Sequence, residues 1–206
     1  MSVTVLDHPI INSRLATLRN KETPMAQFRR GLKDISALMA YPVTAAIEQQ
    51  MISVETPLET CSVKVIKQPP IIVPVLRAGN IMSEVLGDMM PECRIAYIGV
   101  ARDHVTKEPI EYLCKLPEIH CDTPVIVCDP MLATAGSMCF AIQRVKEHGA
   151  KNITLMVLLA APEGIERLHK EHPDVKIITA ALDRCLDSNA YIRPGLGDAG
   201  DRLYGA

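Results

Sequence analysis

The chain has 206 residues, which is long enough for one α/β domain with a sizeable core. Its 22 basic and 24 acidic residues give a net charge of −2, and this balance argues against a surface that binds nucleic acid or a membrane. No apolar run is long enough to span a bilayer, and residues 1–7 lack the pattern of a signal peptide, so we expect a soluble, cytoplasmic protein.

Cysteine usage and aromatic content narrow the class of protein further. None of the seven cysteines belongs to a Cys-x-x-Cys pair, so free thiols in a reducing compartment are favoured over disulfides or a zinc site. Aromatic residues make up 3% of the chain and tryptophan is absent, which argues against a platform that stacks nucleic-acid bases. Small aliphatic residues and methionine are expected to fill the core.

Residues 1–69 are predicted to form helices followed by an arm. Apolar residues recur at helical spacing over residues 8–18, and Thr23-Pro24 predicts the N-cap of a second helix that ends at Pro42. Residues 43–54 and 61–66 alternate like half-exposed strands. We therefore expect a helical cap with an antiparallel β-arm in this part of the chain.

In residues 70–185, short apolar runs alternate with helical patterns. The runs cover residues 71–76, 95–100, 125–128, 153–160 and 175–181, and the helical patterns cover residues 78–86, 137–148 and 162–171. This alternation is typical of a parallel sheet flanked by helices, in which ligands bind beyond the carboxyl ends of the strands. We expect an α/β fold in a single domain over residues 1–206, with residues 186–206 forming a C-terminal loop.

Arg77, Arg102 and Asp129 each lie just beyond the end of one of these runs. Arg77 can grip a polyanion with its planar guanidinium, and Gly79 lets the backbone approach closely. A surface charge beside an ordinary turn fits the same residues. Arg102 precedes a predicted hairpin arm at residues 109–112, which either closes over a charged substrate or is a solvated loop.

The segment that follows residues 125–128 has the features of a phosphate site. Asp129 ends the predicted strand, small and hydroxyl side chains follow, and a helix is predicted from Ser137. Free N–H groups at the helix start and the hydroxyls of Thr134 and Ser137 would face an anion, while Asp129 suits the hydroxyls of an attached sugar. Neither the triphosphatase lysine nor the three-glycine dinucleotide pattern is present. The alternative is an ordinary turn capped by Thr134 or Ser137.

The C-terminal residues 191–202 place glycine, aspartate and proline around a Tyr-Ile pair and a leucine. Such a composition fits a floppy tail or an ordered loop. We favour the ordered loop, because its bare N–H and C=O groups suit a small, planar, polar ligand.

His169 and His172 lie three residues apart in the last turn of a predicted helix, before Pro173. We expect them to be solvated or to favour the helix dipole as cations. The alternative is a metal ion that both histidines bind.

Together these motifs resemble the uracil phosphoribosyltransferase family. Leu76-Arg77-Ala78-Gly79 resembles its pyrophosphate loop, and residues 129–134 with Gly136-Ser137 resemble its phosphoribosyl-pyrophosphate (PRPP) motif. Residues 191–192 and 194–201 resemble its uracil-binding C terminus. Further matches are Arg102-Asp103, Lys115-Leu116-Pro117, residues 160–164, His8-Pro9 and Phe28-Arg29, so the resemblance covers essentially the whole chain in order.

The resemblance implies a phosphoribosyltransferase-type parallel sheet and a reaction in which uracil and PRPP give UMP and pyrophosphate. It implies Mg²⁺ as cofactor, held through PRPP rather than directly by the protein. The implied catalytic residues are Asp198, Arg77 and Arg102. The implied PRPP-binding residues are Arg77, Arg102, Asp129, Pro130, Met131, Leu132, Ala133, Thr134, Ala135, Gly136, Ser137 and Asp198. The implied uracil-binding residues are Tyr191, Ile192, Gly197, Asp198 and Ala199, with backbone groups reading the base.

The resemblance also implies a homodimer or a larger homo-oligomer, built through the N-terminal helices and the arms. Two other functions remain open on the same fold. A PRPP- or UMP-sensing regulator of pyrimidine genes is disfavoured by the near-neutral charge. A sister transferase for another base is disfavoured by the C-terminal loop.

Three positions depart from the family pattern. Ala135 stands where glycine is usual, Asn80 replaces an apolar residue, and residues 41–44 (Tyr-Pro-Val-Thr) replace an acidic-alanine version. If residue 135 needs a positive φ, the methyl group costs about 1–2 kcal/mol. We expect activity to survive these departures.

Overall fold

The computed structural model of the chain describes residues 3–102 and 109–205, apart from the side chain of Arg102. Asp103 and His104 lie outside the described residues. The helices are α1 (Pro9–Arg19), α2 (Met25–Thr44), α3 (Asn80–Met89), α4 (Gly136–Glu147), α5 (Pro162–Glu171) and α6 (Ala199–Tyr204). The strands are β1 (Val3–Val5), β2 (Gln49–Glu55), β3 (Thr60–Ile66), β4 (Ile71–Leu76), β5 (Arg94–Ile95), β6 (Tyr97–Arg102), β7 (Pro109–Lys115), β8 (Pro124–Leu132), β9 (Asn152–Ala160), β10 (Lys176–Leu182), β11 (Cys185–Leu186) and β12 (Ile192–Arg193).

The central sheet has the strand order β1-β10-β9-β8-β4-β6-β7, and β5 pairs with β4. Its neighbouring strands run parallel, except that β6 and β7 are antiparallel. Outside this sheet, β2 pairs with β3 and β11 with β12, both antiparallel. The expected α/β fold, with a mostly parallel sheet and flanking helices, is confirmed.

Apolar side chains pack on both faces of the sheet, because successive strand residues point to opposite sides. In β4, Ile72 packs with the buried side chains of α1, α2 and α3. Ile71 and Val73 pack instead with those of α4 and α5. Both layers exclude water from the strands, so the carboxyl ends of β4 and β8 are held rigidly next to each other.

The second helix differs from its prediction at both ends. Pro24, not Thr23, occupies the N-cap position, and the Thr23 hydroxyl donates to the carbonyl oxygen of Thr17 at 2.6 Å. The helix also continues through Pro42 to Thr44. A proline this close to the C-terminal end removes only one helical N–H, and the Thr44 hydroxyl donates to the carbonyl oxygen of Ala40 at 2.7 Å.

Within the described part of the chain, no helix combines the length and the apolar character that crossing a membrane requires.

Candidate active site

Strand β8 is longer than predicted, because it continues beyond Asp129, where the sequence pattern placed its end. Asp129 lies inside β8, which finishes at Leu132, and α4 starts four residues later at Gly136. A cleft of about 170 Å³ is lined by Asp129, Met131 and residues 133–138. Pro130 and Leu132 alternate with these residues and are buried on the other side of the strand, so they do not line the cleft.

The start of α4 faces this small cleft without a side-chain cap. Ala135 takes the N-cap position with φ 61° and ψ 2°, which is the left-handed region, so the alternative of a Thr134 or Ser137 cap is wrong. The first N–H groups of an α-helix have no partner inside the helix. Such groups and the helix dipole favour an anion, so the turn from Gly136 to Met138 is chemically suited to one.

Helix α5 packs against the loop of residues 133–135, which connects β8 to α4. Gly164 packs so closely that an added Cβ would lie 2.2 Å from the carbonyl oxygen of Ala133. Arg167 donates from Nη1 to the carbonyl oxygen of Thr134 at 3.4 Å. The loop path is therefore set by contacts with α5 as well as by its own sequence.

A larger cleft of about 390 Å³ adjoins the small one, and Met131 and Ala133 line both. The other residues that line it come from the β4–α3 loop and the C-terminal segment: Arg77, Ala78, residues 189–192 and residues 197–200. The structure thus places the sequence-predicted Arg77, Tyr191, Ile192, Gly197, Asp198 and Ala199 in one cleft. Arg102 ends β6, and its side chain lies outside the described part.

Asp129 lines the small cleft and Asp198 lines the larger one, near the junction of the two clefts at Met131 and Ala133. Burial raises the pKa of Asp129 to about 8, and the nearby Asp198 raises it as well, whereas the backbone N–H of Met131 lowers it. Without ligand, Asp129 therefore carries a proton through much of the neutral pH range. Met131 of β8 lines the same cleft as residues 189–192 and 197–200, so β8 and the C-terminal segment lie side by side.

The loop between β4 and α3 needs glycine for close packing. A Cβ at Gly79 would lie 2.4 Å from the carbonyl oxygen of Cys128 and 2.7 Å from that of Val75. The close approach at this residue is therefore to the backbone of β4 and β8, and an approach to a bound polyanion stays a prediction. The Leu76–Arg77 peptide bond is cis, and the carbonyl oxygen of Arg77 accepts a hydrogen bond from the hydroxyl of Tyr204 at 3.1 Å.

Comparison with known proteins agrees with this geometry. The model of the uracil phosphoribosyltransferase family matches residues 5–206. The chain belongs to this family. A uracil phosphoribosyltransferase of Brucella melitensis biotype 2 (strain ATCC 23457) is 52% identical over 206 residues, which are 100% of this chain and 99% of the relative. One of Mesorhizobium japonicum (strain LMG 29417 / CECT 9101 / MAFF 303099) is 50% identical over 204 residues, with 98% of both chains covered. The solved structure of the AQ2163 protein from Aquifex aeolicus has a TM-score of 0.94 at 30% identity and covers 100% of this chain and 99% of its own.

The C-terminal segment of this family member is ordered by its own hydrogen bonds. The carboxylate of Asp187 accepts from the backbone N–H groups of Asn189 and Tyr191 at 2.9 and 3.0 Å, and from Nε of Arg193 at 2.7 Å. The floppy-tail alternative is wrong. The expected loop also ends earlier than predicted, because Asp198 accepts from the N–H of Asp201 at 2.9 Å and caps α6.

Three residues to which the sequence analysis gave no role, Arg19, Asp183 and Arg202, hold this segment by hydrogen bonds. Arg19 and Asp183 lie outside the quoted motifs, and Arg202 lies within residues 191–202 but carries no local pattern that marks a supporting role. Only the fold brings Arg19 and Asp183, 164 residues apart, into contact.

The histidines of α5 differ from their prediction. His172 is buried rather than solvated, its Nε2 lies 3.1 Å from the carbonyl oxygen of Cys139, and burial lowers its pKa. The Nε2 of His169 is buried too. His172 forms a group with Cys139 and Glu171 in which the possible metal-ligand atoms all lie within 4.8 Å of one another, and His169 is not a member of this group. Glu171 already pairs with Arg167 at 2.8 Å. Burial raises the pKa of Cys139 to about 12, so its thiol stays protonated at neutral pH.

Proposed function

We propose that this chain salvages uracil by transferring the 5-phosphoribosyl group of PRPP to N1 of uracil, which gives UMP and pyrophosphate. One observation carries the proposal: Met131 and Ala133 line both the cleft at the start of α4 and the cleft of the C-terminal segment. A nucleotide with a 5-phosphate at one end and a pyrimidine at the other fits across this junction.

The phosphoribosyl end is assigned to the small cleft. The first N–H groups of α4 and the hydroxyls of Thr134 and Ser137 would hold the 5-phosphate. Asp129 would accept hydrogen bonds from the ribose hydroxyls. Pro130 and Leu132 support the site only through the core, because they are buried beside the cleft.

The uracil end is assigned to the wall of the larger cleft, where Tyr191, Ile192, Gly197 and Ala199 lie. A backbone N–H that binds O4 of uracil and a backbone C=O that binds N3–H would both be mismatched by cytosine. Because the mismatched groups would be buried without partners, rejection of cytosine is expected to reach about ten-thousandfold.

Departure of pyrophosphate leaves positive charge on the ribose and negative charge on the leaving group. Arg77 and Arg102 would stabilise the leaving group and fix its position. Positioning and electrostatic stabilisation would then supply the catalysis, since no paired nucleophile and base is needed for this transfer.

The residues of the site fit Mg²⁺ that is held mainly by PRPP. Mg²⁺ prefers substrate phosphates, water and one or two carboxylates over an all-protein cage. Asp198 uses Oδ1 to cap α6, which leaves its second carboxylate oxygen to receive a metal-bound water. When bound, Mg²⁺ would neutralise charge on the pyrophosphate.

A homodimer or larger homo-oligomer fits the arm formed by β2 and β3. This two-stranded hairpin exposes Met51, Ile52, Leu58 and Ile66. Isolated hairpins are marginally stable in water, so a second copy that covers the arm would stabilise it.

We place the protein in the cytoplasm because its cysteines fit a reducing compartment. All seven are free, and Cys128 and Cys139 are buried. Burial raises the pKa of both thiols, which keeps them protonated and unreactive.

A product assay with labelled uracil, PRPP and Mg²⁺ tests the proposed function, with each component left out in turn. UMP should form only in the complete mixture, and cytosine, hypoxanthine and xanthine should give no nucleotide. Turnover of another base without UMP formation would contradict the proposal, and so would retention of pyrimidine-operon RNA in a gel shift by a protein that makes no UMP.

A further inference from the structure

Two arginines hold the loop between β12 and α6, although neither is among the residues that line the larger cleft. Arg19, the last residue of α1, donates from Nη1 to the carbonyl oxygen of Gly195 at 2.8 Å. Arg202 donates from Nη1 to the carbonyl oxygen of Leu196 at 2.9 Å. These two carbonyls come directly before Gly197, which lines the cleft. The path by which the loop enters the cleft is therefore fixed by hydrogen bonds from two side chains that do not line this cleft.

Arg19 acts together with a buried carboxylate. Its guanidinium binds both oxygens of Asp183, at 2.8 and 2.6 Å. The side chain of Asp183 is 5% exposed, and its Oδ2 accepts the backbone N–H of Gly195 at 2.9 Å. This one ion pair thus binds both backbone polar groups of Gly195. Bidentate pairs of this kind fix geometry better than single contacts do.

Arg202 joins the same loop to the C-terminal end of α1. It donates from Nη1 to the carbonyl oxygen of Leu18 and from Nη2 to that of Asn20, the latter at 2.7 Å. Its guanidinium lies 4.3 Å from the ring centre of Phe28. The last carbonyls of a helix lack intrahelical partners, so Arg202 satisfies them while it holds Leu196.

We propose that Arg19, Asp183 and Arg202 are positioning residues that set the affinity of the cleft for the base. The inference rests on the proposed function, in which backbone groups of Ile192, Gly197 and Ala199 read uracil. Backbone groups recognise a ligand only where the chain path is fixed, and a displacement of about 1 Å is enough to weaken binding strongly. The backbone path of residues 195–197 depends on these three residues, whereas the position of the first turn of α4 does not.

The test compares Arg19→Gln and Arg19→Lys with the wild-type chain in steady-state assays that vary uracil and PRPP separately. In Arg19→Gln the KM for uracil should rise about ten- to a hundredfold, because charge-assisted hydrogen bonds to Asp183 and Gly195 are lost. Arg19→Lys keeps the charge but not the fork, so its rise should be smaller. The KM for PRPP should rise less than the KM for uracil in both variants, because most of the proposed contacts with PRPP lie at Arg77 and at the start of α4.

Arg14→Gln is the matched control. Arg14 lies on the same helix and pairs with Asp34 at 2.9 Å, but at an exposed position where an ion pair contributes little. Its kinetic constants should equal those of the wild type. If Arg19→Gln does not fold, as judged by thermal unfolding, Arg19→Lys and Arg202→Lys replace it in the comparison.

Hydrogen exchange of ligand-free protein gives a readout that needs no activity. Amides of residues 195–200 should exchange at least about tenfold faster in Arg19→Gln than in Arg14→Gln, with no change at residues 136–139. If the wild type makes no UMP, the proposed function fails, and this exchange pattern still decides the inference. Unchanged exchange at residues 195–200, or an equal rise of both KM values, would overturn the positioning role.

Discussion

The ionisation of Asp129 leads to a prediction about pH. Its pKa is raised to about 8, first by burial and then by Asp198. Ribose hydroxyls donate to a carboxylate better than to a neutral carboxyl group, so binding of PRPP as proposed favours the ionised form. Below pH 8, the binding of PRPP must therefore release a proton from Asp129.

The magnitude follows from the pKa. At pH 7 a group with a pKa of about 8 is ionised in roughly one molecule in eleven, and ionising it on binding costs about 1.4 kcal/mol. That cost is about tenfold in affinity and vanishes at about pH 9. The affinity for PRPP should thus rise about tenfold from pH 7 to pH 9, in addition to the titration of PRPP itself.

The ionisation of Asp129 should lower the free energy of unfolding as the pH rises, whereas it raises the affinity for PRPP. The folded pKa lies above the unfolded value of about 3.9, so folding favours the protonated carboxyl. The stability that Asp129 contributes is fully present below about pH 4 and is lost as the pH rises to about 8.

Calorimetric titration of PRPP with Mg²⁺ between about pH 6 and pH 9 measures the effect. Asp129→Asn is the control, because it keeps the shape of the side chain but cannot ionise, and PRPP titrates identically with both proteins. The extra tenfold rise should disappear in Asp129→Asn. Identical pH profiles for the two proteins would refute the reasoning.

Two further substitutions test the loops. In Ala135→Gly, the strain of the left-handed φ of 61° is relieved, which raises the free energy of unfolding by about 1–2 kcal/mol. Loss of a buried methyl and a freer unfolded chain cost about as much, so the free energy of unfolding in urea should change by less than about 1 kcal/mol. Affinity for PRPP should stay within about tenfold, and a binding defect of the wild type that this variant repairs would contradict us. Gly79→Ala should destabilise the fold by about 1–3 kcal/mol and raise the KM for PRPP, because its Cβ would lie 2.4 Å from a carbonyl oxygen. Gly87→Ala is the control, because its Cβ would meet only the side chain of Ile95, at 3.3 Å. This variant should change the KM for PRPP little. Equal effects of the two substitutions on this KM would contradict the role given to the close packing at Gly79.

Residues 70–185 could be interpreted well from sequence because their strands are buried on both faces and read as unbroken apolar runs. Strand β1 was missed, since it has three residues that are mostly exposed at the sheet edge. The end of β8 was placed too early because the apolar run stops at Asp129 and small and hydroxyl side chains follow it. The alternating burial of Asp129, Pro130, Met131 and Leu132 shows that the strand continues.

The candidate site could be predicted as far as its parts are contiguous in sequence. The segments at residues 77–79, 129–137 and 191–199 each carry a local pattern. The support from Arg19 to Gly195 spans 176 residues and leaves no such pattern. Likewise, no sequence rule gives the pKa of Asp129, because burial and the approach of Asp198 exist only in the folded chain.

The central claim is that one ligand bridges the start of α4 and the C-terminal segment. Hydrogen exchange measured with and without UMP tests it most directly. UMP should slow exchange at residues 133–138 and at residues 191–200 together, whereas ribose 5-phosphate should protect only the first segment. Protection by UMP of one segment alone, or of neither, would contradict the account.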